Sequence, residues 1–396
     1  VKKPTKSGFV FGALLVFAGA SLLFFILQAS RMGRPPVSSV QLAYRGTGLD
    51  QLYSPRAFAK LAALNKIPFL LPPADPTGDR ARDSYDNVRV LGNLSTAQVT
   101  RLMASMTTWV APKQGCVYCH NLDNMALDTK YTKVVARRML QMTQNINANW
   151  QSHVKNTGVT CYTCHRGNPV PKFIWYNEPG PHTTGMAETQ TGMGHPTPQI
   201  DEAALPYDPF TPFLENRKNI RVQGKSALPT GNRSSMKQAE WTYSLMIVMA
   251  TSLGVNCDYC HNTRAFSDWS QSRPQRVTAW YGIRMVRDLN DHYLDPLNPV
   301  FPVYRKGALG DSPKVYCATC HQGVYKPLFG KSMLTTFKTE LGGPPATTAA
   351  LMAPYVEPPD TSDAAPAAAK SAAPTPPGTP GAAKPAVATP PAAPPK

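Results

Sequence analysis

Charge is scarce in this chain, and acid scarcer than base: charged residues are 16% of 396, with 24 Asp and Glu against 41 Lys and Arg. The excess of +17 comes with no basic helix and no nucleic-acid motif, so it points to anionic groups bound by the protein and not to nucleic acid. Cysteine is absent outside one pattern. All eight lie in Cys-x-x-Cys-His, which leaves no thiol for a disulfide framework, and no Cys-x-x-Cys-Lys occurs. Aromatic residues stop at Tyr355, and the Pro, Ala, Thr, Ser and Gly of residues 358–396 cannot bury enough surface to fold, so a disordered tail is expected there.

The motif itself occurs four times: Cys116, Cys119 and His120; Cys161, Cys164 and His165; Cys257, Cys260 and His261; Cys317, Cys320 and His321. Two thiols three positions apart can each add to one vinyl group of a haem, and the adjacent histidine is then carried under the iron as an axial ligand. A redox dithiol would not need the histidine, and zinc sites built from two Cys-x-x-Cys halves would leave four histidines unexplained. The spacing therefore predicts four covalently bound c-type haems. Their eight propionates offset much of the formal charge, and the excess Lys and Arg are candidate partners for them. Long irregular segments wrapped around cofactors also account for 40 prolines.

Residues 9–27 (FVFGALLVFAGASLLFFIL) carry no charge and would make a helix of about 28 Å, against a hydrocarbon core of about 30 Å. Lys2, Lys3 and Lys6 before it and Arg31 and Arg34 after it favour a cytoplasmic start. A retained membrane anchor is expected; the rival is a cleaved secretory signal, whose apolar stretch is usually shorter. Either way the remainder is exported.

The organisation expected is an anchor at 1–35, an irregular segment at 36–90, a first haem pair at 91–170, a connection at 171–230, a second pair at 231–335 and a C-terminal segment at 336–396. The two pairs read as a duplication. Residues 102–108 (LMASMTT) match 245–251 (LMIVMAT) at a shift of 143, and the same shift carries 136–142 (ARRMLQM) onto 279–285 (AWYGIRM). Each half is then helix, motif, helix, motif, giving a mainly α multihaem cytochrome with long Pro-rich segments and one N-terminal transmembrane helix.

Ser95 and Gln98 form a capping box, and Val99, Leu102, Met103 and Met106 share one helical face; Val135, Met139, Met142 and Ile146 form a second stripe. Methionine stripes usually pack. Here each iron needs a sixth ligand, and a thioether is the common one in electron-carrying c haems, so one methionine per helix is expected to ligate while its neighbour three residues on packs. The repeat breaks once: Met139 finds Gly282, so the fourth helix lacks its methionine. Met285 could serve with a different register, or a histidine outside the motifs could. His182 and His195 lie in the connection, His292 reads as surface, and His153 lies between the second helix and the second motif. Gly282 would then let its helix approach the porphyrin face.

Over residues 40–335 the chain resembles the tetrahaem cytochrome subunit of purple-bacterial photosynthetic reaction centres. The resemblance rests on the four motifs, the preceding LMxxM and RMLQM helices, and His153, eight residues before the second motif. It implies axial pairs Met103 with His120, Met139 with His165, Met246 with His261, and His153 with His321, the last among the low-potential haems. With every iron saturated, it implies an electron carrier and not an enzyme. It implies a place on the photosynthetic inner membrane, with the haem region in the periplasm against the reaction-centre L and M subunits. There such a subunit re-reduces the photo-oxidised bacteriochlorophyll pair, drawing on a soluble cytochrome c or a high-potential iron-sulfur protein. A membrane tetrahaem quinol dehydrogenase and a multihaem reductase are the alternatives; the first is usually shorter and lacks the methionine helices, and the second would normally show an open or lysine-ligated haem.

Overall fold

A computed structural model describes residues 6–31, 38–40, 51–179, 205–222 and 236–343. His182, His195, Lys2, Lys3, Arg34 and the tail at 358–396 lie outside these residues. The described chain is mainly helical. One short antiparallel pair, β1 (Ser38–Val40) and β2 (Gln51–Tyr53), sets Ser38 opposite Tyr53.

Helix α1 (Lys6–Arg31) is longer than its uncharged core and buries none of Val10–Ala29 against the rest of the protein. Its large apolar side chains from Val10 to Leu27 are exposed, which is the condition met by a lipid-facing helix. The segment expected to be irregular contains α2 (Pro55–Leu64) and the single turn α3 (Ala81–Ser84). Proline at the first helical position costs nothing there, and the Ser54 hydroxyl accepts from the Ala57 N–H at 3.4 Å, so local capping starts a helix that composition had hidden.

The haem-bearing halves are built from α4 (Thr96–Val110), α5 (Tyr131–Asn149), α6 (Gln151–Val154) and α7 (Cys161–His165), then α8 (Met236–Leu253), α9 (Pro274–Leu289) and α10 (Cys317–His321), with α11 (Lys338–Leu341) closing the described chain. The capping box forms: Gln98 N–H donates to Ser95 Oγ at 3.2 Å and Ser95 N–H to Gln98 Oε1 at 3.0 Å. Val99 and Leu102 are buried, and Met103 and Met106 are half-buried beside them.

Three apolar clusters hold these elements. The first joins Leu102 and Trp109 of α4 to Phe337 and Leu341, with the Trp109 and Phe337 rings edge to face at 4.8 Å. The second sets Met142, Ile146 and Trp150 against Met285 and Leu289. Met142 with Met285 and Ile146 with Leu289 are each 143 positions apart, and so are Asn145 and Asp288, whose side chains hydrogen-bond at 2.9 Å. The third cluster draws on the connecting segment at 171–230. Trp175, Leu205, Phe210 and Leu214 are buried there against Val248, Ile283 and Val286 of α8 and α9.

Candidate haem sites

Two kinds of turn present the motifs. The first and third are tight turns, Gly115–Tyr118 and Cys257–Tyr259, in which the N–H of His120 and of His261 donates to the carbonyl of Cys116 and of Cys257, each at 3.0 Å. The second and fourth are the five-residue helices α7 and α10. Thr160 N–H donates to Thr163 Oγ1, and Tyr316 N–H to Thr319 Oγ1, both at 3.0 Å, which starts each helix. Arg166 and Gln322, both at φ 50, end them.

Each motif histidine has its Nδ1 turned to a backbone carbonyl: His120 to Met125 at 3.2 Å, His165 to Asn168 at 2.9 Å, His261 to Phe266 at 3.1 Å and His321 to Val324 at 3.0 Å. A proton held on Nδ1 by such a bond leaves the Nε2 lone pair for a metal. Burial pushes His165 down, and pushes His261 and His321 to about 4, so these rings are neutral, as a ligand must be. No sequence signal marks these acceptors, because they are main-chain atoms. Their spacing does repeat, five residues after the histidine at the first and third motifs and three at the second and fourth.

No disulfide joins the eight cysteines, and burial pushes Cys161 and Cys317 up to about 12 and Cys260 to about 11. The first two motifs open on one cavity of about 840 Å³, into which Met103 and Met106 of α4 and Met139 and Met142 of α5 also face. Its donor set, two thiol pairs, two imidazoles and thioethers, with apolar walls, suits covalently bound haem. Met142 is buried in the second cluster, on which the half-buried Met139 also packs; Met246 and Met249 are both half-buried, and Met249 packs on the third cluster.

The other assembled pair is His153 with His321. Their ring centres are 6.1 Å apart. Two metal-nitrogen bonds of about 2.0 Å each, with about 1.1 Å from nitrogen to ring centre on both sides, put imidazoles about 6 Å apart across one metal, so the spacing fits a shared iron. His153 Nδ1 donates to the Thr278 carbonyl at 2.9 Å, which leaves the Nε2 lone pair unused by that bond. Burial pushes its pKa down as well. Met285, the alternative ligand, is buried in the second cluster.

Gly282 has a different use from the one its sequence position suggested. A Cβ built there would stand 2.6 Å from His153 Cε1 and 2.9 Å from Nδ1, so the missing side chain makes room for the imidazole itself. Helix propensity alone would make Gly282→Ala more stable by about 0.5–1 kcal/mol. The expected result is instead a displaced His153, read as a loss of low-spin character at one haem in absorption and electron paramagnetic resonance spectra. An unaltered spectrum would mean that the ring has free space.

The sites also adjoin in order. Cys164 and Cys320 lie within hydrogen-bonding reach of each other. Arg166 Nη2 donates to the Cys320 carbonyl and Gln322 Nε2 to the Cys164 carbonyl, each at 3.3 Å, a reciprocal exchange between equivalent positions of α7 and α10. Helix α4 packs on α7, and α8 on α10. Gly167 N–H donates to Trp109 O and Gly323 N–H to Ser252 O, both at 2.8 Å.

Paired thiols beside imidazoles whose Nδ1 is held by a carbonyl define a c-type cytochrome, a protein that carries electrons on covalently bound haem. Residues 33–340 match the family model described as the photosynthetic reaction centre cytochrome C subunit. The chain is 50% identical over 319 residues to the photosynthetic reaction center cytochrome c subunit of Rubrivivax gelatinosus, covering 80% of this chain and 87% of that one. It is 51% identical over 300 residues to that of Thermochromatium tepidum (76% and 74%), and 39% identical over 342 residues to that of Roseobacter denitrificans (82% and 92%). The chain belongs to the reaction-centre cytochrome c subunit family.

Proposed function

We propose that this chain is the electron-transfer subunit that re-reduces the photo-oxidised pigment pair of a photosynthetic reaction centre. Four c-type haems are held at Cys116 and Cys119, Cys161 and Cys164, Cys257 and Cys260, and Cys317 and Cys320. Their axial pairs are Met103 with His120, Met139 with His165, Met246 with His261, and His153 with His321. The facing of His153 and His321 at 6.1 Å is the observation that carries this reading. A haem with two protein ligands offers no position for a substrate, which favours electron carriage over quinol or nitrite chemistry. When bound, haem supplies the one-electron couple; the chain supplies ligands, burial and order.

The order inferred is first, second, fourth, third. The shared cavity of the first two motifs, the reciprocal Arg166 and Gln322 bonds, and the packing of α8 on α10 support it. The contacts between residues 143 apart in the second cluster likewise support two duplicated haem pairs related by an approximate two-fold axis. Helix α1 anchors the chain, the haem region lies in the periplasm against the L and M subunits, and a soluble cytochrome c or high-potential iron-sulfur protein refills it.

Flash excitation of membranes holding the complex tests the function: haem oxidation should follow photobleaching of the pigment pair. Turnover with quinol or nitrite and no flash response would replace this reading. Ligation is tested separately. Leucine in place of Met103, Met139 or Met246 should each remove one haem's share of the weak long-wavelength sulfur-iron band and lower that haem's potential. Leucine at Met106, Met142 or Met249 should leave the band whole; the opposite pattern would reverse the assignment within each helix.

A further inference from the structure

Lys133, in the first turn of α5, is only 8% exposed. Its ammonium donates to three successive carbonyls, Met125 and Ala126 at 2.8 Å and Leu127 at 3.0 Å. The ammonium's donors are thus turned mainly to main-chain oxygens. One acceptor is shared, because the Met125 oxygen also faces His120 Nδ1. A buried cation thus stands one carbonyl away from a motif histidine.

The other charges there do not cancel it. Asp128 Oδ1 is 3.2 Å from the ammonium, but the same carboxylate also holds Arg137 at 2.7 Å and Arg89 at 3.8 Å, so three cations share one anion. The Arg137 hydrogen bond keeps the Asp128 carboxyl well below its ordinary range, so it stays ionised. Arg276, the counterpart of Lys133 at the shift of 143, is placed otherwise. It donates to Asp268 O at 3.1 Å and Ser272 Oγ at 2.7 Å, and the carbonyl facing His261 Nδ1 is that of Phe266.

We propose that Lys133 is a positioning residue that raises the reduction potential of the haem at Cys116 and Cys119, acting through the Met125 carbonyl on His120. An acceptor at Nδ1 makes imidazole a stronger donor to ferric iron. Drawing that acceptor's electron density toward an ammonium weakens the effect, and a fixed positive charge further disfavours the more positive oxidation state. The argument rests on His120 being an axial ligand.

Redox titration of the purified holoprotein, followed spectroscopically, tests it. Lys133→Gln should raise the oxidised-to-reduced ratio of one haem about tenfold at fixed poise, a shift of about 59 mV for a one-electron couple. Lys133→Arg, which keeps the charge, should leave it within about twofold of the parent. Asp128→Asn, which removes the offsetting carboxylate, should shift the same haem the other way, and it decides the matter if Lys133→Gln yields no holoprotein. Four unmoved potentials in Lys133→Gln and Asp128→Asn, or an equal shift in Lys133→Arg, would overturn the proposal. His120→Gly separates the two layers: an unchanged low-spin spectrum there would defeat the ligation itself, whereas a lost ligand with unmoved potentials in the other variants defeats only the role of Lys133.

Discussion

Alanine in place of His153 should turn one haem of the set from low-spin to high-spin, or leave it open to added carbon monoxide, while the others keep their spectra. The ring is held from two sides, by its Nδ1 bond to the Thr278 carbonyl and by the bare backbone of Gly282. Under the proposed ligation, removing it would leave His321 as the one axial ligand and one carbonyl without its donor, a secondary loss of about 1 kcal/mol. Ligand loss dominates the outcome. His153→Met provides the control: a thioether in place of the second imidazole disfavours the ferric state, so a variant that stays low-spin should show a raised potential at that haem. Met285→Leu should alter no haem spectrum, since Met285 packs against Met142 and Leu289. If Met285→Leu changed a haem and His153→Ala changed none, the fourth site would have to be rebuilt around α9.

Glu340→Ala should cost about 3–5 kcal/mol of stability, the penalty for breaking a buried ion pair by removing one partner. Arg101 and Glu340 are 5% and 4% exposed and meet at 2.9 Å. The guanidinium also donates to the Leu71 carbonyl and lies 3.7 Å from the Phe337 ring centre. Without the carboxylate, a buried charge keeps only one carbonyl and a ring face. The measurement is the denaturant midpoint of the holoprotein. The double variant Arg101→Met with Glu340→Leu should recover most of the loss, because it removes both desolvated charges together. The exposed pair Arg82 and Asp83 should tolerate alanine with a change of about 1 kcal/mol or less. A cost that small at Glu340 would show that water reaches the pair.

Sequence made the chemistry of the sites legible before it made their packing legible. Four motifs name their own donors, because covalent attachment fixes thiol spacing and places a histidine next to it. The capping box at Ser95 and Gln98 was equally readable, since its partners lie three residues apart. The role proposed for His153 has an indirect sequence signal: the methionine stripe breaks at Gly282, and a broken repeat asks for a ligand from elsewhere. Its true neighbour was not legible, because the contact of His153 with Gly282 joins residues far apart in the chain. The same holds for Arg101 with Glu340, and for the cluster in which Trp175 and Phe210 meet Val248. The prolines on either side of Trp175 mark a connection, and composition does not say that a few of its aromatic and aliphatic residues pack on α8 and α9. The carbonyls that receive each histidine Nδ1 have no identity in sequence at all.

The Asn145 and Asp288 contact has a consequence for descent. Under the proposed duplication, these are the same position in two copies that meet at their own axis. A half-length ancestor pairing with itself would have faced two identical residues there, and two buried aspartates repel. Joining the copies in one chain removes that constraint along with the entropic cost of bringing two molecules together. One copy could keep a carboxylate while the other supplied an amide donor, as Asn145 Nδ2 does to Asp288 Oδ2 at 2.9 Å. The Trp150 indole N–H, 2.7 Å from the same oxygen, adds a second donor from one side only. Fusion thus permits sites of unequal character, and with them a chain of haems that need not come in equal pairs.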